Sequence, residues 1–150
     1  MTATIAQIMD ELATQIDDQL STVTDVKLDV QGRAFKAQTV PAIDMYPTGL
    51  SGLDTDIAAF QENYGGWPIN IRVRVSPADV YAGEDLLLGL MDDEDDLSII
   101  NTLAYDRTIN GLASTMFWSI WGGFIDFPEP GGEGTFLGSL LPIVIVKARS

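Results

Sequence analysis

The sequence predicts an α+β domain: a two-layer sandwich, with helices packed on one face of a mostly antiparallel four-stranded sheet. Three observations carry that prediction. Ile5, Ile8, Met9, Leu12, Ile16 and Leu20 recur at three- and four-residue spacings, the apolar stripe of a leading helix. Ile69 to Val75 alternates isoleucine or valine with Asn70, Arg72 and Arg74, as a half-buried strand does. Two helical stretches then separate that strand from a C-terminal pair of strands, giving the order α-β-β-α-α-β-β.

The elements follow in chain order. Thr4 and Gln7 fit a capping box for a helix over Thr4 to Leu20, with Asp10, Glu11, Asp17 and Asp18 on its wet side. Val26 to Val30 alternates as a short strand, and Phe35 with Val40 to Met45 forms a second extended piece. Pro41 lacks an amide proton, so that piece starts at the proline or lies at an edge. Pro47 to Gly52 is a loop, and Leu53 to Tyr64 holds a helical turn or two before Gly65-Gly66. Ser76-Pro77-Ala78-Asp79 is a helix-start signature, with Gly83 either inside the helix or just before its true start at Glu84. The helix reaches about Met91, with Val80, Tyr81, Leu87, Leu88 and Met91 as core candidates. Ile99, Ile100 and Leu103 mark a second short helix, and Asn110-Gly111 a turn. Thr115 to Trp121 is apolar on both faces, so it is expected to be buried on both, by its own domain or by a neighbouring subunit. Phe127 to Gly134 is a long loop or hairpin tip, Phe136 to Val146 the last strand, and Lys147 to Ser150 a basic end.

A chain of 150 residues with 46% apolar content forms one domain, residues 1–150, large enough for a core of its own. No apolar run spans a bilayer and no signal peptide opens the chain, so no membrane is expected and the cytosol is the compartment of synthesis. Eight basic against 22 acidic residues give a formal charge of −14, which argues against tight binding to nucleic acid or anionic lipid. With no cysteine and no histidine, disulfides, thiolate chemistry and Ser-His or Cys-His nucleophiles are excluded. No phosphate-binding loop is present, and no carboxylate pair stands out by spacing. No catalytic, metal or cofactor site is therefore assigned.

Two features invite a partner. Arg72 and Arg74 share the polar face of one strand; they serve a partner, or they pair within the chain with some of its carboxylates. The run Asp92-Asp93-Glu94-Asp95-Asp96 suggests calcium, but counted from Asp92 the EF-hand glycine is replaced by Leu97 and its final glutamate by Leu103. The plainer reading is a solvated linker whose carboxylates favour the start of the next helix. Arg72, Arg74, Asp92, Asp93, Asp95, Asp96, Phe117, Trp118 and Trp121 are the candidate interface residues.

The order of elements resembles the tail terminator (head–tail joining, minor tail) proteins of long-tailed bacteriophages. The resemblance rests on Ile5 to Leu20, Val40-Pro41-Ala42, Ile69 to Val75, Leu90-Met91-Asp92 and Leu97 to Asp106. Its most specific part is the Asp-x-Thr-hydrophobic-x-Gly pattern at Asp106 to Gly111, followed by a strand, a glycine-rich hairpin and a final strand. Pro142 inside the last strand and the acidic run depart from the usual pattern. The resemblance implies a structural virion protein without enzymatic activity. It would form a ring, usually a hexamer, on the last layer of the tail tube, ending tube growth and joining tail to head. Implied partners are further copies of the chain, the tail tube protein and a neck or head-completion protein. Genome DNA would pass through the ring without tight binding. The protein would then lie in the virion, and in host cytoplasm during assembly. Arg72 and Arg74 pairing with Asp92 to Asp96 of a neighbouring copy is one expectation for the ring. Alternatives are a head-closure or neck adaptor ring, a carboxylate-based hydrolase or metal-binding module, and a generic interaction domain of a host cell.

Overall fold

A computed structural model describes residues 3–35, 41–48, 66–76, 80–128 and 135–147. The element expected within Leu53 to Tyr64, the cap signature after Ser76 and the tip from Glu129 to Gly134 lie outside the described residues. The described part is mixed α+β, with three helices: α1 (Ile5–Val23), α2 (Val80–Met91) and α3 (Ile99–Tyr105). The strands are β1 (Asp29–Val30), β2 (Ala42–Pro47), β3 (Gly66–Val75), β4 (Ala113–Trp118), β5 (Ile125–Pro128) and β6 (Thr135–Lys147). They form a six-stranded sheet in the order β1-β2-β3-β6-β4, with β5 also paired to β6.

The expected mostly antiparallel sheet of four strands is a mixed sheet of six here. β1 runs parallel to β2, and β5, its Phe127-Pro128 end expected in a long loop or hairpin tip, pairs antiparallel with β6. The long β6 explains the extra strand. Residues 137–146 pair with β3 along one edge, while the other edge takes β5 near Gly138 and β4 from Ile143 onward. Pro142 sits in the gap between those two partners. Its carbonyl accepts from the Ser119 amide at 2.9 Å, so the side on which proline lacks a donor is the side where the partner strand is leaving.

Local chemistry explains the helices. The Thr4 hydroxyl accepts from the Gln7 amide at 3.2 Å while the Gln7 side chain accepts from the Thr4 amide at 2.9 Å, the reciprocal cap expected from sequence. Ile8, Met9, Leu12, Ala13, Ile16 and Leu20 are the buried stripe of α1. In α2, Leu87 and Leu90 are buried, whereas Leu88, expected in the core, is 52% exposed because it lies roughly 100° round the helix from Leu87. Gly83 lies inside α2; an added Cβ there would come within 2.6 Å of the Ser76 carbonyl oxygen, so the helix packs close on the end of β3. Ser98, not the acidic run, caps α3: its side chain accepts from the Asn101 amide at 3.1 Å.

The odd-numbered residues Ile69, Ile71, Val73 and Val75 share one apolar cluster with the buried residues of the helices and with Met45, Ile143 and Ile145. The even-numbered positions of β3 carry Arg72 and Arg74 on the other face, opposite Asp44 and Ala42 of β2. Pro41 directly precedes β2, and its carbonyl accepts from the Asp29 amide at 3.0 Å. The proline thus starts the strand, and β1 rather than β2 is the edge.

Candidate functional site

The sequence-predicted interface residues fall into three places. The first is a buried ionic network. Asp44 is 0% exposed, and the side chains of Arg74 and Arg72 are 5% and 20% exposed. Arg72 clasps the carboxylate with both Nε, 2.9 Å from Asp44 Oδ1, and Nη2, on Asp44 Oδ2. Arg74 Nη2 donates to Asp44 Oδ2 at 3.2 Å, and the Phe35 amide donates to the same oxygen at 3.1 Å. Both guanidinium groups also reach the Phe35 carbonyl.

Aromatic rings flank these cations. Arg72 lies over Tyr46 and Phe127, at 5.3 and 5.8 Å from their centroids, and Arg74 over Phe35 at 5.3 Å. The two arginines feel opposite net effects. The two-pronged hydrogen bond that Arg72 donates to Asp44 raises the pKa of Arg72 against the cost of burial, while burial lowers that of Arg74 against attraction to Asp44. Among the described residues, Arg74 Nε is buried with no acceptor. Asp44 Oδ2 thus takes three of these donors and Oδ1 one. Of the two sequence readings of the arginines, pairing within the chain describes their contacts.

The second place is an open groove of about 740 Å³ at the β4 edge of the sheet. Asp92 and Asp93 line it together with Met91 from α2, Ile100 from α3, and Trp118 to Trp121. The sequence suggested a doubly buried strand reaching Trp121. Instead β4 ends at Trp118, and the chain leaves the sheet over Ser119 to Phe124. Ser119 N, Gly122 N and Gly123 O tether this excursion to Pro142, Leu140 and Ser139 of β6. It presents Ile120, 90% exposed, and Phe124, 40% exposed. Trp118 and Phe117 are half-buried, and Trp121 Nε1 is buried with no acceptor among the described residues.

Arg107 finishes this edge. Its Nε and Nη2 donate to the Met116 carbonyl at 3.2 and 3.1 Å, and its guanidinium lies 4.8 Å from the Trp118 ring centroid and 5.7 Å from that of Phe117. A charged side chain on an edge carbonyl blocks further strand pairing there.

The third place is a polar hollow of about 570 Å³ between α1 and α3, where Asp95 and Asp96 meet Gln15, Asp18, Tyr105 and Asp106. The acidic run is thus divided between two surfaces by tight turns: Asp92 Oδ1 accepts from the Glu94 amide at 2.8 Å, and Asp95 Oδ1 from the Leu97 amide at 2.9 Å. Among the described residues, no three acids converge as a metal cage requires.

The Asp106 to Gly111 pattern has its own physical basis. Ile109 is fully buried at φ 51°, followed by Asn110 at 56° and Gly111 at 78°. A left-handed, β-branched residue costs about 1–2 kcal/mol. Asp106 offsets that by accepting from Asn110 N at 2.7 Å, Thr108 Oγ1 at 2.8 Å, Thr108 N at 3.1 Å and Gln15 Nε2 at 3.1 Å. The Thr108 hydroxyl in turn accepts from Gly111 N at 3.2 Å.

Those bonds hold the Asp106 pKa below the ordinary carboxylate value, the Asn110 amide contributing most. A depressed folded value means that the stabilisation is complete above about pH 4. It is lost as the pH falls through the folded value. Asp106→Ala is expected to cost about 1–2 kcal/mol at pH 7, discounted because the residue is only half-buried. In urea melts, the gap between wild type and variant should shrink below about pH 4; a gap unchanged to pH 3 would refute this role.

Sequence reasoning missed Asp44, Arg107 and the exposure of Ile120. A lone acid within the apolar run Ala42 to Met45 was a legible signal of a buried, paired charge. No helix among the described residues is long and apolar enough to cross a membrane. Compared with models of known protein families and with curated proteins, the chain matches none.

Proposed function

We propose that the protein is a structural ring component of a long-tailed phage particle, the tail terminator, with no catalytic activity. The observation that carries the reading is the apolar excursion Ser119 to Phe124. It displays Ile120 at 90% exposure beside Trp118, Trp121, Asp92 and Asp93, a surface suited to subunit contact. Two further points support it. The formal charge of −14 suits a ring wall past which DNA slides without sticking. The motif that carries the resemblance, Asp106 to Gly111, forms a cross-bonded turn leading into β4. In this reading the fold is a two-layer sandwich, and the apolar cluster shared by the helices and the odd-numbered strand residues supports that description.

A ring that ends tube growth leaves a clear trace when it is removed. Deleting the gene is expected to give tubes of unregulated, excessive length with no heads attached, seen by electron microscopy. Tails of normal length with detached heads would move the protein to the neck adaptor layer. Normal joined virions would overturn both readings.

A further inference from the structure

We infer that copies of this chain join head to tail, the corner formed by Val23, Val26 and Lys27 of one copy docking into the Trp118–Ile120 groove of the next. The inference deepens the ring reading above and rests on it for closure of the ring. The two surfaces lie at opposite edges of the sheet, the corner between α1 and the β1 edge, the groove beside the β4 edge. Val23 and Val26 are 38% and 47% exposed, and Lys27 is exposed beside them. The groove offers matching chemistry: Met91, Ile100, Trp118 and Ile120 are apolar, and Asp92 and Asp93 are anionic.

The charges single out Lys27. Among the described residues, Arg33 pairs with Asp10, Arg72 and Arg74 pair with Asp44, and Arg107 lies over Trp118. Lys147 ends β6 opposite Ala113 of β4, on the groove's own side of the sheet. Among those residues Lys27 is left as the cation at the β1 edge in no ion pair. Two copies that each carry a formal −14 repel one another unless an attractive pair is placed at the contact. Asp25 shares the corner, so Lys27 supplies its one attractive charge and its reversal should be felt strongly. Two different patches on opposite edges make a heterologous contact, which repeats from copy to copy and closes when the rotation allows.

The chain contains no cysteine, so Val26→Cys and Ile120→Cys introduce a unique thiol pair at exposed positions. Concentrated protein carrying both substitutions, treated with oxidised glutathione, is expected to give a ladder of disulfide-linked dimers, trimers and longer chains on non-reducing gels. Each single variant is expected to stay monomeric. Adding Lys27→Glu should abolish the ladder, and adding Asp92→Lys with Asp93→Lys should restore it. Monomer alone from the double variant overturns the inference, as do dimers from either single variant or a ladder indifferent to Lys27→Glu. Overlong tubes on gene deletion without a ladder would leave the ring reading standing and remove this contact. A ladder with normal virions would do the reverse.

Discussion

Asp44→Ala is expected to cost about 3–5 kcal/mol, because it leaves Arg72 and Arg74 without the carboxylate that they share. Arg74 has almost no route to water, being 5% exposed at its side chain, so solvent cannot replace the lost partner. The Phe35 amide would lose its acceptor in the same step. Such a loss is a large share of the roughly 5–15 kcal/mol that holds a domain together. Urea denaturation followed by tryptophan fluorescence should show a lowered midpoint with an unchanged slope. Removing all three charges should be much milder. Asp44→Leu with Arg72→Met and Arg74→Met is expected to recover most of the stability, since apolar replacements of similar volume abolish the desolvation cost along with the attraction. A single Asp44→Ala variant within about 1 kcal/mol of wild type would mean that the network contributes little.

Gly138→Ala is expected to be comparably severe, for a steric reason. Gly138 faces Arg74 of β3 on one side and Ile125 of β5 on the other. An added Cβ would collide with the Val73 carbonyl oxygen and come within 2.6 Å of Phe127 Cε2. The carbonyl belongs to the β3 ladder and cannot retreat without breaking sheet hydrogen bonds, whereas the ring could turn. The cost should therefore be at least about 3 kcal/mol, and Phe127→Ala in the same chain should not rescue it. A thermal midpoint within about 4 °C of wild type would refute the argument. Phe127 also faces the Arg72 guanidinium, so the glycine, the ring and the ionic network make one continuous structure on this face of the sheet.

Patterns made by neighbours in sequence are legible in the letters alone. The Thr4–Gln7 cap, the buried stripe of α1 and the alternation of Ile69 to Val75 all use contacts within a few residues or a fixed side-chain period. The aromatic groove was legible in part. Asp92, Asp93, Trp118 and Trp121 were all candidates, and they do line one groove, whereas Arg72 and Arg74 lie apart from it in the network with Asp44. Phe117 falls under Arg107. Exposure at Ile120 could not be read, because an apolar letter at the end of an apolar run looks the same inside a strand as on a loop leaving it.

Composition and short-range periodicity directly carry the α+β class, the leading helix, the central strand and an acidic chain free of thiol and imidazole chemistry. Strand register selects which of 22 acids meets the two arginines, since Asp44 and Arg72 are 28 residues apart in the chain. The folded chain also sets that β1 pairs parallel to β2, that β5 joins the sheet, and that Pro142 marks the exchange of partners on β6. Strand pairing depends on which edges meet after the chain has closed its loops, and that choice leaves no periodic signature in the letters.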